Sequence, residues 1–347
     1  MSLTDLLQKT LRSTALGLAL YLSGCGGSSS SGCQTDYDCR EPRVCRQGEC
    51  VDSNEGEGEA EAEGASIGNS NNSGNDSYNS LQNLTGKIVF MSVRDTNNES
   101  NYEIYSIDAD GNNVRRLTNN TSQDLAPQWS PNGSKIAFVS DWEIYTMDAD
   151  GTNTRRLTQT GDFSPNANPS WSPDGRRIAF ESSRNSEPFD IYIMDADGSN
   201  LQNLTNNPSA DDYSPAWSSD GRKMVFASNR NNGCLDIYVM NADGSGQHRL
   251  TYDCDNGRES RHPAWFPGLQ ILFSSTRGTG LGLYMMNPDG SGAQSIAPSG
   301  SPQYSCWSPD RDQIAYSLGN NNQINITTPN GAETIELTQG AQPSWAL

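Results

Sequence analysis

Along the last three quarters of the chain, short apolar runs and turn residues alternate in one recurring order. The order is complete from Trp171. A Trp-Ser-Pro-Asp-Gly turn leads to the run Ile178-Ala179-Phe180, then to Ile191-Tyr192-Ile193-Met194-Asp195, an Asp197-Gly198 turn and Leu204-Thr205. Apolar runs this short, bounded by Pro, Asp and Gly, read as strands joined by tight turns, with Pro fixing φ and Gly taking positive φ. The unit predicts strand A at Pro169-Ser170-Trp171, B from Arg177 to Ser182, C from Asp190 to Asp195 and D from Leu201 to Thr205. Strand C is apolar at successive positions, so both of its faces must be covered.

Trp129, Trp171, Trp217, Trp265, Trp307 and Trp345 open the unit at intervals of 38 to 48 residues. A period of about 40–45 residues with four short strands marks a β-propeller blade. The strand B run occurs six times, at Ile88, Ile136, Ile178, Met224, Ile271 and Ile314. The first lacks a Trp strand before it, and the last Trp strand, Pro343-Ser344-Trp345, lacks a B run after it. Pairing these two orphans closes a ring with no exposed terminal blade. The expected fold is all-β, a six-bladed propeller over residues 81–347.

The rest of the chain is organised differently. Lys9 and Arg12 precede an apolar stretch from Ala15 to Leu22, too short to span a bilayer and suited to a secretory signal. It ends in Leu22-Ser23-Gly24-Cys25, which resembles the lipobox of bacterial lipoproteins. That resemblance implies cleavage before Cys25, lipidation of its sulfur, and stable anchoring by several acyl chains. Gly26 stands where an Asp would retain the protein in the inner membrane, so the implied address is the outer membrane, facing periplasm or cell surface. The expected segments are a signal peptide (1–24), a lipidated tether (25–32), a Cys-rich module (33–51) and an acidic linker (52–80). In the module, Cys33, Cys39, Cys45 and Cys50 read as two disulfides with three connectivities open, a zinc site being the alternative. The module resembles a small Cys-rich unit of secreted bacterial proteins. A net charge of −19 argues against a nucleic-acid partner, which would require clustered Lys and Arg.

Strand order places the A–B and C–D turns on one face of the ring and the B–C loops and D–A crossovers on the other. The first set is nearly uniform and the second varies, which makes the variable face the expected binding face. At its channel mouth the residues entering strand A supply Asp124, Asn168, Asp212, Tyr213, Glu259, Arg261, His262 and Tyr304, with Asn166, Gln303 and Gln342 beside them. Such a set can grip a sugar or a peptide segment. On the uniform face, Asp108-Asp110, Asp148-Asp150 and Asp195-Asp197 resemble the opening of an EF-hand loop without its closing Glu, which leaves calcium open there. Cys234 and Cys254 are insertions in the fourth repeat and are expected to pair. Cys306, where other repeats carry Ala216 and Ala264, is expected to be a buried free thiol. No hydrolase or metalloprotease motif occurs, and His248 and His262 are the only imidazoles.

The repeat phrase resembles that of the TolB-like propellers over about residues 86–347, most closely in repeats two to four. Repeat five departs from it at Phe266-Pro267-Gly268 and Ser295-Ile296-Ala297, and repeat six at Ile324-Asn325-Ile326. The resemblance implies a monomeric, non-catalytic envelope scaffold that binds a protein or a glycan and needs no cofactor. The alternative it offers is a carbohydrate lyase or hydrolase, since some lyases of this repeat family act on acidic sugars from the channel. They use several His ligands to a metal, where this mouth has one. The lipobox reading carries its own test. Cys25→Ser should move the protein from the membrane fraction to the soluble one, and a variant still sedimenting with membranes after a high-salt wash would contradict it.

Overall fold

The computed structural model describes residues 43–46, 49–52, 84–95, 101–160, 164–184, 188–231, 233–265, 270–278, 280–297, 302–310, 312–319 and 322–346. The chain divides into two units, Tyr21–Ser77 and one containing Tyr78–Leu347. In the first, β1 (Arg43–Arg46) and β2 (Glu49–Asp52) form an antiparallel hairpin with Cys45 opposite Cys50 in register. The expected signal peptide, the expected lipidation of Cys25, the pairing of Cys33, Cys39, Cys45 and Cys50, and the expected acidic linker lie outside the described residues.

The second unit is a ring of six four-stranded antiparallel blades. The second blade is β6 (Asp124–Trp129), β7 (Lys135–Ser140), β8 (Glu143–Asp148) and β9 (Arg155–Arg156), and the third is β10 (Asn166–Trp171), β11 (Arg177–Ser182), β12 (Asp190–Asp195) and β13 (Gln202–Asn203). The fourth is β14 (Asp212–Trp217), β15 (Lys223–Ser228), β16 (Asp236–Asn241) and β17 (His248–Arg249). The fifth is β18 (Ser260–Trp265), β19 (Ile271–Ser275), β20 (Gly282–Met286) and β21 (Gln294–Ala297). The sixth is β22 (Pro302–Trp307), β23 (Ile314–Leu318), β24 (Gln323–Thr327) and β25 (Thr334–Gln339). The first blade is shared between the chain's ends: β26 (Ala341–Ala346) pairs with β3 (Lys87–Ser92), which continues to β4 (Glu103–Asp108) and β5 (Arg115–Arg116). The expected closure is realised with Trp345 opposite Ile88 and Ser344 opposite Val89. Strands B and C of the third blade have the bounds expected from sequence. Strand D is shorter, and strand A begins three residues earlier, at Asn166.

Strand A is longer because a bulge lets it resume pairing. In each blade the ladder between strands A and B slips at one place, for instance between Ala167 and Ser170 and between Arg261 and Ala264. The residue at the slip is left-handed in all six blades: Ala126, Asn168, Ser214, His262, Tyr304 and Gln342, with φ between 45° and 52°. Proline follows in every blade but the sixth. It has no N–H to leave unpaired at the bulge.

The Arg-Leu-Thr phrase is explained by a buried carboxylate at the start of strand C. Glu103, Glu143, Asp190 and Asp236 are almost fully buried. Asp236 accepts from Arg249 Nη2 at 2.6 Å, Thr251 Oγ1 at 2.8 Å and the Asp253 N–H at 3.0 Å. Thr251 Oγ1 in turn accepts the Ile237 N–H at 2.9 Å. Glu143 repeats the arrangement with Arg156, Thr158 and the Thr160 N–H, and Asp190 with Thr205 and the Asn207 N–H, Asn203 replacing the arginine. The Arg before that phrase ties blades together: Arg115 and Arg155 donate to the carbonyls of Asp150 and Asp197 in the next blade's C–D turn, at 2.9 and 3.0 Å. Gly151 in that turn lies so close to the preceding blade that a Cβ would stand 2.8 Å from the Leu117 carbonyl oxygen, so only glycine fits.

The turn carboxylates of the uniform face serve their own turns. Asp148 takes Lys135 Nζ and Asn153 Nδ2, both at 2.7 Å, and Asp150 takes the Thr152 N–H at 3.0 Å. The Trp bodies pack between blades, but their indole N–H groups fare unequally. Trp171 and Trp345 donate to the carbonyls of Gln128 and Thr85, whereas Trp129 and Trp217 find no acceptor among the described residues.

Removing Trp345 should therefore act on the whole ring. Emptying so large a buried site costs about 3–5 kcal/mol, which at roughly 2–4 °C per kcal/mol lowers the melting temperature of Trp345→Ala by about 10 °C. Deleting Ala341–Leu347 should cost more. An unchanged thermal transition in either variant would contradict closure by β26.

Candidate binding site

The six left-handed residues stand on the innermost strands and face the central channel. They line a cavity of about 250 Å³ together with the Pro and Trp residues that follow them. Two small members, Ala126 and Ser214, alternate irregularly with four functional ones, Asn168, His262, Tyr304 and Gln342. Left-handed φ in residues other than glycine stores of order 1–3 kcal/mol each and persists only where its surroundings enforce it. Here the enforcement comes from neighbouring blades. The Ala126 N–H donates to Gln342 Oε1 at 2.8 Å, and the Ser214 N–H to Glu181 Oε2 at 2.7 Å.

Of the eight residues expected at the mouth, Asn168, His262 and Tyr304 line this cavity. The His262 and Tyr304 rings pack together, tilted, with centroids 4.1 Å apart. Burial, and then the neighbouring Arg261, push the His262 imidazole down to about 3, so it is neutral at physiological pH. Burial raises the Tyr304 hydroxyl well above its usual range, so it stays a donor; Gln342 beside it pulls the other way. Asn168 Nδ2, His262 Nδ1 and Arg261 Nε are buried without a partner among the described residues. Glu259 and Arg261 form an ion pair at the partly exposed rim.

The other three are taken up inside the fold. Asp124 is fully buried and accepts from Asn120 Nδ2 at 2.7 Å; desolvation raises its carboxyl despite that bond. Asp212 is fully buried and receives both hydrogen bonds of Arg230 Nη2 at 3.0 Å; burial again raises it, and Arg230 opposes. Tyr213 packs against Phe189 in a tilted arrangement with ring centroids 5.4 Å apart, and burial drives its hydroxyl upward. These residues fix strand A instead of facing the channel. Gln342 and the small members Ala126 and Ser214 complete the ring, and their shared signal is an X-Pro-x-Trp phrase, as in Ser214-Pro215-Ala216-Trp217.

Cysteine placement brings one agreement and one correction. Cys234 and Cys254 are joined, with Cα atoms 5.7 Å apart. The bridge fixes the crossover that presents Asp253, whose Oδ2 receives Arg277 Nη2 at 2.7 Å and so braces the fifth blade. Cys306 is free, but it is only partly buried and lines the cavity instead of being sealed in the core. Its enclosure still pushes the thiol up to about 12. His248 is exposed on the outer strand β17, its Nδ1 2.9 Å from the Gly246 carbonyl.

This geometry defines a six-bladed β-propeller with a polar ring set in one end of its channel. Residues 82–256 and 212–346 match the family model described as the TolB beta propeller domain, and the chain belongs to that family. It is 49% identical over 53 residues to the Tol-Pal system protein TolB of Geobacter sulfurreducens, a match covering 15% of this chain and 11% of that relative. The TolB crystal structure from Acinetobacter baumannii superposes with a TM-score of 0.63 at 22% identity, covering 76% of this chain and 67% of the other. An oligogalacturonate lyase from Vibrio parahaemolyticus shares the fold at a TM-score of 0.53 and 12% identity, covering 73% and 74%. The chain thus spans about a tenth of the length of that curated relative and 67% and 74% of the two solved chains.

The buried imidazole predicts a pH dependence. A histidine whose folded value lies near 3 and whose unfolded value lies near 6.5 contributes stability that is complete above pH 6.5 and is lost as pH falls toward 3. With a discount for cavity water at the ring edge, the loss between pH 6.5 and 5 should be about 1 kcal/mol. Denaturant titrations of wild type and His262→Gln should diverge over that interval, and parallel profiles would show that the imidazole is not held neutral.

Proposed function

We propose that this chain is a lipid-anchored, non-catalytic binding protein of the bacterial envelope, whose propeller receives a segment of another envelope protein at the variable-face mouth of its channel. The observation that carries this reading is the ring of six strained residues around a cavity, with the Asn168 Nδ2 donors and the His262 Nδ1 atom buried there without a partner among the described residues. Unmet donors beside an open cavity favour a ligand that brings acceptors, and a backbone carbonyl or carboxylate of an extended segment supplies them. The TolB relative's membership of the Tol-Pal system supports an envelope setting. A glycan is the second acceptor-rich ligand class for the same ring. Catalysis draws less support, because burial pushes the titratable groups of the cavity, His262, Tyr304 and Cys306, toward their neutral forms.

The N-terminal part fits the same reading. The lipobox at Cys25 supplies the anchor, the Cys-rich module and acidic linker supply reach, and the propeller from about residue 81 supplies the receptor. Pull-downs from a solubilised envelope fraction test the assignment. Wild type should retain a protein that Asn168→Ala and Tyr304→Ala retain at least tenfold less. Equal retention by all three would place binding away from the channel.

A further inference from the structure

Four blades complete the same stack. After strand B, in the phrase Ser-x-Arg, the guanidinium folds back over the Phe of strand B and the Tyr of strand C. Arg94, Arg184, Arg230 and Arg277 each lie between 4.7 and 5.6 Å from the two ring centroids of their own blade. The second blade keeps the aromatic pair, Phe138 and Tyr145 at 5.7 Å, and Tyr145 is partly exposed. Among the described residues no arginine lies over it. The position of the arginine is held by Trp142, in the phrase Ser140-Asp141-Trp142. The sixth blade lacks the stack altogether, having Asn325 where the Tyr would be.

Trp142 is also the one tryptophan outside the repeat, and its conformation is costly. Asp141 and Trp142 form a two-residue hairpin between β7 and β8 with φ of 47° and 62°, a geometry that favours Asn-Gly. The hairpin lies on the variable face, and the Trp142 carbonyl accepts both the Asn166 N–H and Asn166 Nδ2, which ties it to the entry of strand A in the third blade. The indole is partly exposed and makes no hydrogen bond or ring contact among the described residues, and Asp141 is exposed. Of the nearby cations, Arg156 is hydrogen-bonded to Glu143, from where its charge also reaches Tyr145 and Asp141 without stacking on the phenol or indole ring, and Arg184 is hydrogen-bonded to Asn166.

We propose that the Asp141–Trp142 hairpin, with Tyr145, is a docking point for an arginine side chain of a protein partner. The partner's guanidinium takes the place that the other four blades fill from within. It stacks on the indole and phenol rings and hydrogen-bonds the Asp141 carboxylate, an arrangement strengthened by desolvation. The net charge of −19 favours approach of a basic segment. This inference rests on the variable face being the binding face, and not on occupancy of the channel.

The test exploits the cost of the conformation. Trp142→Gly should melt at or above the wild-type temperature, because glycine is at ease at positive φ. A fluorescein-labelled tetra-arginine peptide, followed by anisotropy at constant salt, should bind Trp142→Gly and Asp141→Asn at least tenfold more weakly than wild type. Trp142→Phe should stay within about threefold. Equal affinity for wild type and Trp142→Gly would reduce the binding to net charge and overturn the proposal, as would no binding to wild type or a preference of Trp142 for neutral maltotriose. Tyr304→Ala, titrated alongside, separates the two readings: retained peptide binding there keeps the hairpin site whatever becomes of the channel, and loss there alone removes it.

Discussion

The ring depends on a carboxylate buried at the start of strand C. An ionised group in that position would be costly, and it is tolerated because an arginine, a threonine hydroxyl and a backbone N–H all point at it. In Asp236 these come from Arg249, Thr251 and Asp253, all beyond the C–D turn. One side chain therefore fixes the outer strand against strand C and sets where the crossover to the next blade departs. The outer strands of the first four blades have only two paired residues each, so their place is held by this knot more than by the ladder. Where the phrase fails, in the fifth blade, β21 is a longer paired strand, and Asp253 provides a buried acceptor for Arg277 at the blade's entry.

With the crossovers fixed, strand A is obliged to turn at its bulge, and six strained residues meet in the channel. The strain is distributed around a closed structure, each bulge being held partly by the adjacent blade, as Ala126 is by Gln342. Such mutual bracing sets the geometry of the ring from within the fold, and a site formed that way has a lower ordering cost for any ligand it takes. It also separates scaffold from recognition. Trp and Pro recur from blade to blade, while the left-handed position varies freely among Ala, Asn, Ser, His, Tyr and Gln.

The fold was legible because its signals are local and repeated. Turn chemistry and the Trp phrase determine strands B and C to the residue in the third blade, and the unmatched ends at Ile88 and Trp345 imply closure. The site was legible only in part. Asn168, His262 and Tyr304 were found as entry residues of strand A, but Asp124 and Asp212 share that description and are buried in networks with Asn120 and Arg230. Which entry residue faces the channel is decided by the bulge, and a bulge depends on register between strands, which no single stretch of sequence displays. The stack completed by Arg94, Arg184, Arg230 and Arg277 was hidden for a similar reason, since its three members come from two strands and a loop. A further echo is plain in the letters alone: residues 81–85 read Leu-Gln-Asn-Leu-Thr, identical to residues 201–205 of the third blade's outer strand. Its last residue, Thr85, supplies the carbonyl that receives the Trp345 indole.

The pairing of β26 with β3 has a consequence for the order of assembly. All other ladders in the ring join strands that follow one another in the chain, and can form as soon as each hairpin exists. This one joins segments about 250 residues apart, and its loop-closure entropy grows only with the logarithm of that separation, so it is affordable at equilibrium but late in time. Until it forms, β3 is an open edge carrying Ile88, Val89 and Phe90, ready to accept any passing strand. The interval between formation of the first blade's β3–β5 and arrival of Trp345 is thus the period in which this chain is most prone to pair with another copy of itself, and chaperones that shield extended segments would matter most then.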